Sequence, residues 1–206
     1  METFVRALRD SQVARLSQLG GKKFSRSIST VEYKVAQAHF LLEQIAEAGG
    51  NFFAVQCFSD AFAAACRSIT FAMQAVINVD GFAQWYNERQ KALESDALCK
   101  FFNAYRVVST HIGETVVSAG ATAGFREGKL QMKYYFMPTP GLMSVPDEDV
   151  HTVCSTHFKN LLSLTFDALK HFKYQLDDQR YFTSENFAHA RKGLGDALQE
   201  LGFPPD

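Results

Sequence analysis

Residues 51–78 constrain the fold most. In this stretch Val55, Phe58, Phe62, Ala65, Ile69, Met73 and Val76 recur at spacings of three and four, the repeat of one face of an α-helix. Ala61, Ala63, Ala64, Ala65 and Ala72 leave small faces that let neighbouring helices approach closely. A long helix that is apolar on more than one side belongs at the centre of a bundle. The chain has the material to surround it: 206 residues, 47% of them hydrophobic, with nineteen Phe beside seven Tyr and one Trp. Phe brings no hydrogen-bonding group, so most of the aromatic content reads as core filling rather than as a surface for stacking on bases.

The flanking segments follow the same period. Val31, Val35, Ala38, Leu42 and Ile45 predict a helix over 29–48, stopped by Gly49 and Gly50. Phe4, Leu8, Val13, Leu16 and Leu19 predict an opening helix over 2–19, ended by Gly20 and Gly21. After Gly81, a segment with Phe82, Trp85, Tyr86 and Leu93 predicts a fourth helix. Ser95 and Asp96 then offer a cap for a fifth carrying Leu98, Phe101, Phe102, Tyr105 and Val108. From 115 to 140 the pattern changes: Leu130, Met132, Tyr134 and Phe136 alternate with Gln131, Lys133 and Tyr135, a period of two. A β-hairpin or loop insertion is expected there, with its turn over 124–128. Beyond it, Pro146 in a first turn followed by acids predicts a helix start near 147. One apolar stripe then runs from Val150 through Cys154, Phe158, Leu161, Thr165, Ala168 and Phe172 to Leu176. A last helix is expected over 184–201. No linker or repeat divides the chain, so the expectation is an all-α bundle over 1–206 with a small hairpin insertion at 115–140 and C-terminal helices over 147–201.

Composition narrows function. Twenty-one Lys and Arg against 22 Asp and Glu leave a net charge of -1, which argues against a protein that coats nucleic acid but not against a few well-placed phosphate contacts. The longest apolar stretch is interrupted by Asp60, Arg67 and Ser68, short of the roughly 18 uncharged residues of a membrane span. The first residues mix charges from Glu2 on and lack the apolar core of a signal peptide. Cys57, Cys66, Cys99 and Cys154 form no C-x-x-C pair. The expectation is a cytoplasmic protein with reduced thiols. No phosphate-binding Gly loop, zinc-protease pair, nucleophile elbow or kinase set occurs.

The segment with chemistry to offer is FFNAYRVVSTHIGE, in which Arg106 is followed by His111, preceded by Gly81-Phe-Ala-Gln-Trp85-Tyr86 and Leu93-Glu-Ser-Asp96. An Arg and a His at this spacing, ending a helix of an all-α bundle, resemble the R-x4-6-H motif of the HEPN superfamily (higher eukaryotes and prokaryotes nucleotide-binding domains). The surrounding residues are similar to those of bacterial HEPN-like proteins with a G-F-x-x-W-Y segment and an F-F-x-x-x-R stretch. The resemblance implies a helical bundle that dimerises and brings two Arg-His motifs into one cleft. It further implies a metal-independent endoribonuclease that uses no cofactor, in a toxin–antitoxin or defence setting with an antitoxin or defence protein as partner. Carried over, Arg106 steadies the scissile phosphate and His111 acts as general acid or base. Arg presents a planar fork of donors, and His is the side chain that ordinarily titrates near neutrality. The chain departs from the family at Val107, where catalytic members often carry a polar residue. Polar support for the His has Asp60, Glu32 and Ser109 as candidates.

Helix geometry bears on this reading. At about 100° per residue, positions 106 and 111 lie about 140° apart and about 7.5 Å along a straight helix, so both do not point at one spot. Two features answer this: His111 lies just before Gly113, where the backbone can turn, and a symmetric dimer converges two copies from opposite sides. The residues alone fit equally a salt-bridging surface Arg and a helix-terminal His favoured by the macrodipole, in a non-catalytic interaction or RNA-binding module. Other groupings were weighed. His151, Cys154 and His157 lie on one arc of a helix, but the Cys falls on the apolar stripe, so core packing with flanking polar His is expected there and no metal site. Trp85 and Tyr86 beside Phe82 read as core. Arg6, Arg9, Arg15, Lys22, Lys23 and Arg26, against Glu2 and Asp10, form a basic segment in which Arg6, Arg9, Lys22 and Lys23 are candidate RNA contacts.

Overall fold

The computed structural model describes residues 28–76, 79–126 and 129–176. The helices expected over 2–19 and 184–201 lie outside these residues. Within them the chain is mostly helical, with one small antiparallel sheet.

Helix α1 (Ile28–Glu47) buries Val31, Val35, Ala38 and Ile45, and the chain leaves it through Gly49 at a φ of +57°. Helix α2 (Phe52–Gln74) begins at Asn51, whose side-chain oxygen accepts the Ala54 N–H at 3.1 Å. It stops about one turn short of the expected 78. Besides its apolar stripe it buries Ser59, Ala63, Cys66 and Ala72, so it is covered on several sides. The small residues let α1 lie against one side and the later helices against the other. The hydroxyls of Ser59 and Thr70 are satisfied within the helix, donating to the carbonyls of Val55 and Arg67.

Helix α3 (Phe82–Ser95) follows Gly81, at a φ of +77°. Helix α4 (Ala97–Val107) is capped by Asp96, which accepts the Cys99 N–H at 2.7 Å. Its buried Phe102 meets Phe62 of α2 edge-on at 5.9 Å. The chain then widens into a π-helical turn (Val108–Ile112) that ends at Gly113.

Strands β1 (Val117–Arg126) and β2 (Lys129–Phe136) form the hairpin, with Val117 opposite Phe136, Ala121 opposite Tyr134 and Gly124 opposite Gln131. The expected turn over 124–128 is thus corrected. Gly124 is a paired strand residue, because the period-two pairing of β2 carries β1 on to Arg126. Phe136, at the inner end, packs on Phe101 at 4.9 Å and Tyr105 at 5.2 Å, which pins the hairpin to α4.

Helix α5 (Val150–His171) starts three residues after the expected 147. Asp149 is its cap, accepting the Thr152 N–H at 3.2 Å and the Thr152 hydroxyl at 2.6 Å. A bridge between Tyr135 and Asp149 goes with an extended backbone at Asp149, and Pro146 stays outside the helix. The stripe toward Leu176 also breaks at Phe172, before the short helix α6 (Lys173–Leu176). Phe172 turns inward onto Phe82 at 5.2 Å and Trp85 at 5.7 Å, closing the bundle over α3.

Candidate functional site

Arg106 ends α4 and His111 lies in the π-turn. The Gly113 N–H reaches the Val108 carbonyl at 3.0 Å, five residues back, and Gly113 takes a φ of +78°. Each residue of a π-turn advances by less than in an α-helix, so the separation of positions 106 and 111 falls below the 140° of a straight helix. Arg106 is half-buried, with its Nε shielded from solvent and lacking an acceptor among the described residues; His111 is exposed.

Beneath this turn lies a polar group in which Tyr105 is buried and Asp60 half-buried. The Tyr105 hydroxyl, fully buried, donates to the Asp60 carboxylate of α2 at 2.5 Å, and Ser109 also bonds Asp60. Burial raises the Asp60 pKa, and the bonds from Tyr105 and Ser109 pull it back. The Tyr105 hydroxyl is held well above its ordinary pKa, by burial first and then by the adjacent carboxylate. Asp60 therefore ties the last turn of α4 and the first residues of the π-turn to the central helix. Of the candidates for polar support, Asp60 and Ser109 come together here, whereas Glu32 stands on α1. Among the described residues neither Asp60 nor Ser109 bonds to His111.

The outer side of the turn faces the loop after the hairpin. Gly141 donates its N–H to Glu114 at 3.3 Å, and a Cβ there would stand 3.0 Å from Val108 Cγ2 and 3.4 Å from Ile112 Cδ1. A side chain there would push these neighbours back by a few tenths of an ångström. Val107, Ile112 and Met143 are exposed around the motif, Met143 by 75%.

The remaining candidates separate. Arg6, Arg9, Lys22 and Lys23 lie outside the described residues. Tyr86 is buried, donating its hydroxyl to the Thr70 carbonyl at 3.1 Å, and Trp85 packs on Phe82 and Phe172, so this pair belongs to the core. Cys154 is fully buried and His151 exposed, and no group of three metal-ligating side chains is found among the described residues. His157 corrects the expectation of a flanking polar His. It is 5% exposed, stacked on Phe102 at a centroid distance of 4.2 Å, and burial lowers its pKa to about 4.

His157 stands at the wall of a cavity of about 270 Å³ between α2, α3, α4 and α5. Its Nδ1 lies 3.9 Å from Cys99 Sγ, but burial and then Asp96 push that thiol up to about 12. A protonated thiol beside a neutral imidazole is no nucleophile pair. Arg67 and Lys100 also line this cavity. Periodicity alone does not find it, because its lining is shared among four helices. Asp60 did leave a signal, as the one charged residue between 51 and 66.

Comparison of the chain with protein-family models, with curated proteins and with solved structures returns no match. Among the described residues no helix is long and apolar enough to cross a membrane.

Proposed function

We propose that the chain is a HEPN-like protein that cleaves RNA without a metal, acting as a homodimer in a toxin–antitoxin or defence setting. The 2′-hydroxyl of the substrate attacks its own phosphorus and yields a 2′,3′-cyclic phosphate and a 5′-hydroxyl. Arg106 holds the scissile phosphate. His111 takes the proton of the 2′-hydroxyl or gives one to the leaving 5′-oxygen, and two copies in a shared cleft serve both ends of the step. The observation that carries this reading is the π-turn, a feature frequent at functional sites, which makes the angle between the Arg and the His smaller than a straight helix would. The half-buried Arg106, whose Nε has no acceptor among the described residues, fits a side chain set to receive an anion.

The test is incubation of the purified full chain with a mixed RNA panel in the presence of a chelator. Cleavage is expected, with Arg106→Ala and His111→Ala each reducing it by at least about a hundredfold, the usual contribution of an acid–base group. An uncut panel, or full activity in both variants, removes the nuclease reading. A second reading, a non-catalytic module that binds a protein partner, is favoured by the exposed Val107, Ile112 and Met143 around the motif. It predicts an uncut panel together with loss of partner binding in Ile112→Asp.

A further inference from the structure

We propose that the cavity between α2, α3, α4 and α5 binds a small organic phosphate, with its anionic head at Arg67 and Lys100 and its apolar body against Leu93, Phe102 and Leu161. The inference stands apart from the RNA reading, since neither Arg106 nor His111 lines this space.

Size, charge and order point the same way. About 270 Å³ is close to the lower bound of roughly 300 Å³ for small-molecule pockets, room for a compact metabolite and not for a polymer. The charged lining consists of Arg67, Lys100 and Glu94. Glu94 already accepts a hydrogen bond from Gln90 Nε2 at 3.0 Å, while neither cation makes a salt bridge among the described residues. The walls add no further charge at neutral pH: His157 is neutral, and the Tyr86 hydroxyl, pushed up to about 12 chiefly by burial, is spent on the Thr70 carbonyl. The balance is one net positive charge in a partly desolvated space, which selects an anion.

Arg67 is already in position. Its Nη1 donates to Thr70 Oγ1 at 3.2 Å, and its guanidinium lies 4.3 Å from the centre of the Phe71 ring. Its Nε is buried without an acceptor among the described residues. A charged donor group left short of acceptors is unfavourable, and an anion at the guanidinium offsets that loss. A planar Arg fork beside a Lys point charge suits phosphate. Leu93, Phe102 and Leu161 also line the space; they have no use for a bare inorganic ion and suit a hydrocarbon body.

Calorimetric titration of the full chain with phenyl phosphate, inorganic phosphate and phenol separates head from body. Phenyl phosphate is expected to bind at one site per chain, at least about tenfold more tightly than inorganic phosphate, with phenol undetected. Lys100→Gln and Arg67→Gln are each expected to weaken phenyl phosphate by at least about tenfold. Lys100 is exposed, so its variant decides the matter even where Arg67→Gln disturbs folding. Absence of phenyl phosphate binding, phenol binding as tightly, or unweakened binding in Lys100→Gln overturns the proposal.

Discussion

Asp60 and Tyr105 form the closest side-chain link between the central helix and the end of α4, and the candidate site rests on it. Tyr105→Phe removes one of the two donors that stabilise the Asp60 carboxylate inside the protein. The expected loss is about 1–3 kcal/mol in chemical denaturation, the usual worth of a hydrogen bond to a charged group. The pH dependence has a definite sign. The Asp60 pKa in the folded protein is raised above 3.8, so the folded state holds its proton more tightly than the unfolded chain does. Stability from this group is full at low pH and is lost as pH rises past 3.8 through the folded value. In Tyr105→Phe that window extends to higher pH.

His157 acts in the opposite direction. With its pKa lowered from 6.5 to about 4, the unfolded chain binds the proton more readily across that interval, so this contribution to stability is lost as pH falls from 6.5 toward 4. The interval corresponds to about 3 kcal/mol. Denaturation midpoints at pH 7 and pH 4.5 measure it, and His157→Phe, which keeps an aromatic ring against Phe102, is expected to flatten the difference. A wild-type chain equally stable at both pH values, with all else constant, contradicts the placement of His157.

Among the elements, those with a period of their own were readable from the residues. The three-and-four repeats of α1, α2 and α4, the cap at Asp96 and the alternation of β2 appear in the structure within a few residues. The errors fall where tertiary contacts decide a boundary. The start of α5 moves to Val150, next to the bridge between Asp149 and Tyr135, and the helix breaks at Phe172 because that ring turns toward Phe82 and Trp85. The π-turn was not readable, since it has no repeat; it depends on Gly113 at its end and on the close seating of Gly141 against Val108 and Ile112. Gly113→Ala, placing a side chain at a φ of +78°, is expected to cost about 1–2 kcal/mol in thermal or chemical denaturation. A neutral effect at this position would show that the turn does not need its left-handed residue.

At the scale of the whole molecule, the buried residues of all the described helices and of the inner hairpin join in one hydrophobic cluster. It takes in Phe62, Phe82, Phe101, Phe102, Phe136, Phe158 and Phe172, while Phe40, Phe53, Phe71 and Phe166 stay exposed. The motif residues Arg106 and His111 were visible as a pattern, but the grouping of Arg67 and Lys100 with His157 was not, because it exists only once four helices are assembled. The even charge balance fits both sites: each would engage an anion through a few placed cations instead of a broad basic face.

On the proposed function, RNA supplies its own nucleophile at the Arg106–His111 turn. The most direct measurement compares, in the presence of a chelator, an RNA oligonucleotide cut by the full chain with the same sequence carrying 2′-O-methyl groups, and identifies the ends formed. The prediction is cleavage of the unmodified RNA alone, with 2′,3′-cyclic phosphate and 5′-hydroxyl ends that disappear in His111→Ala. Cleavage of the 2′-O-methyl strand, or ends bearing a 5′-phosphate, would contradict it.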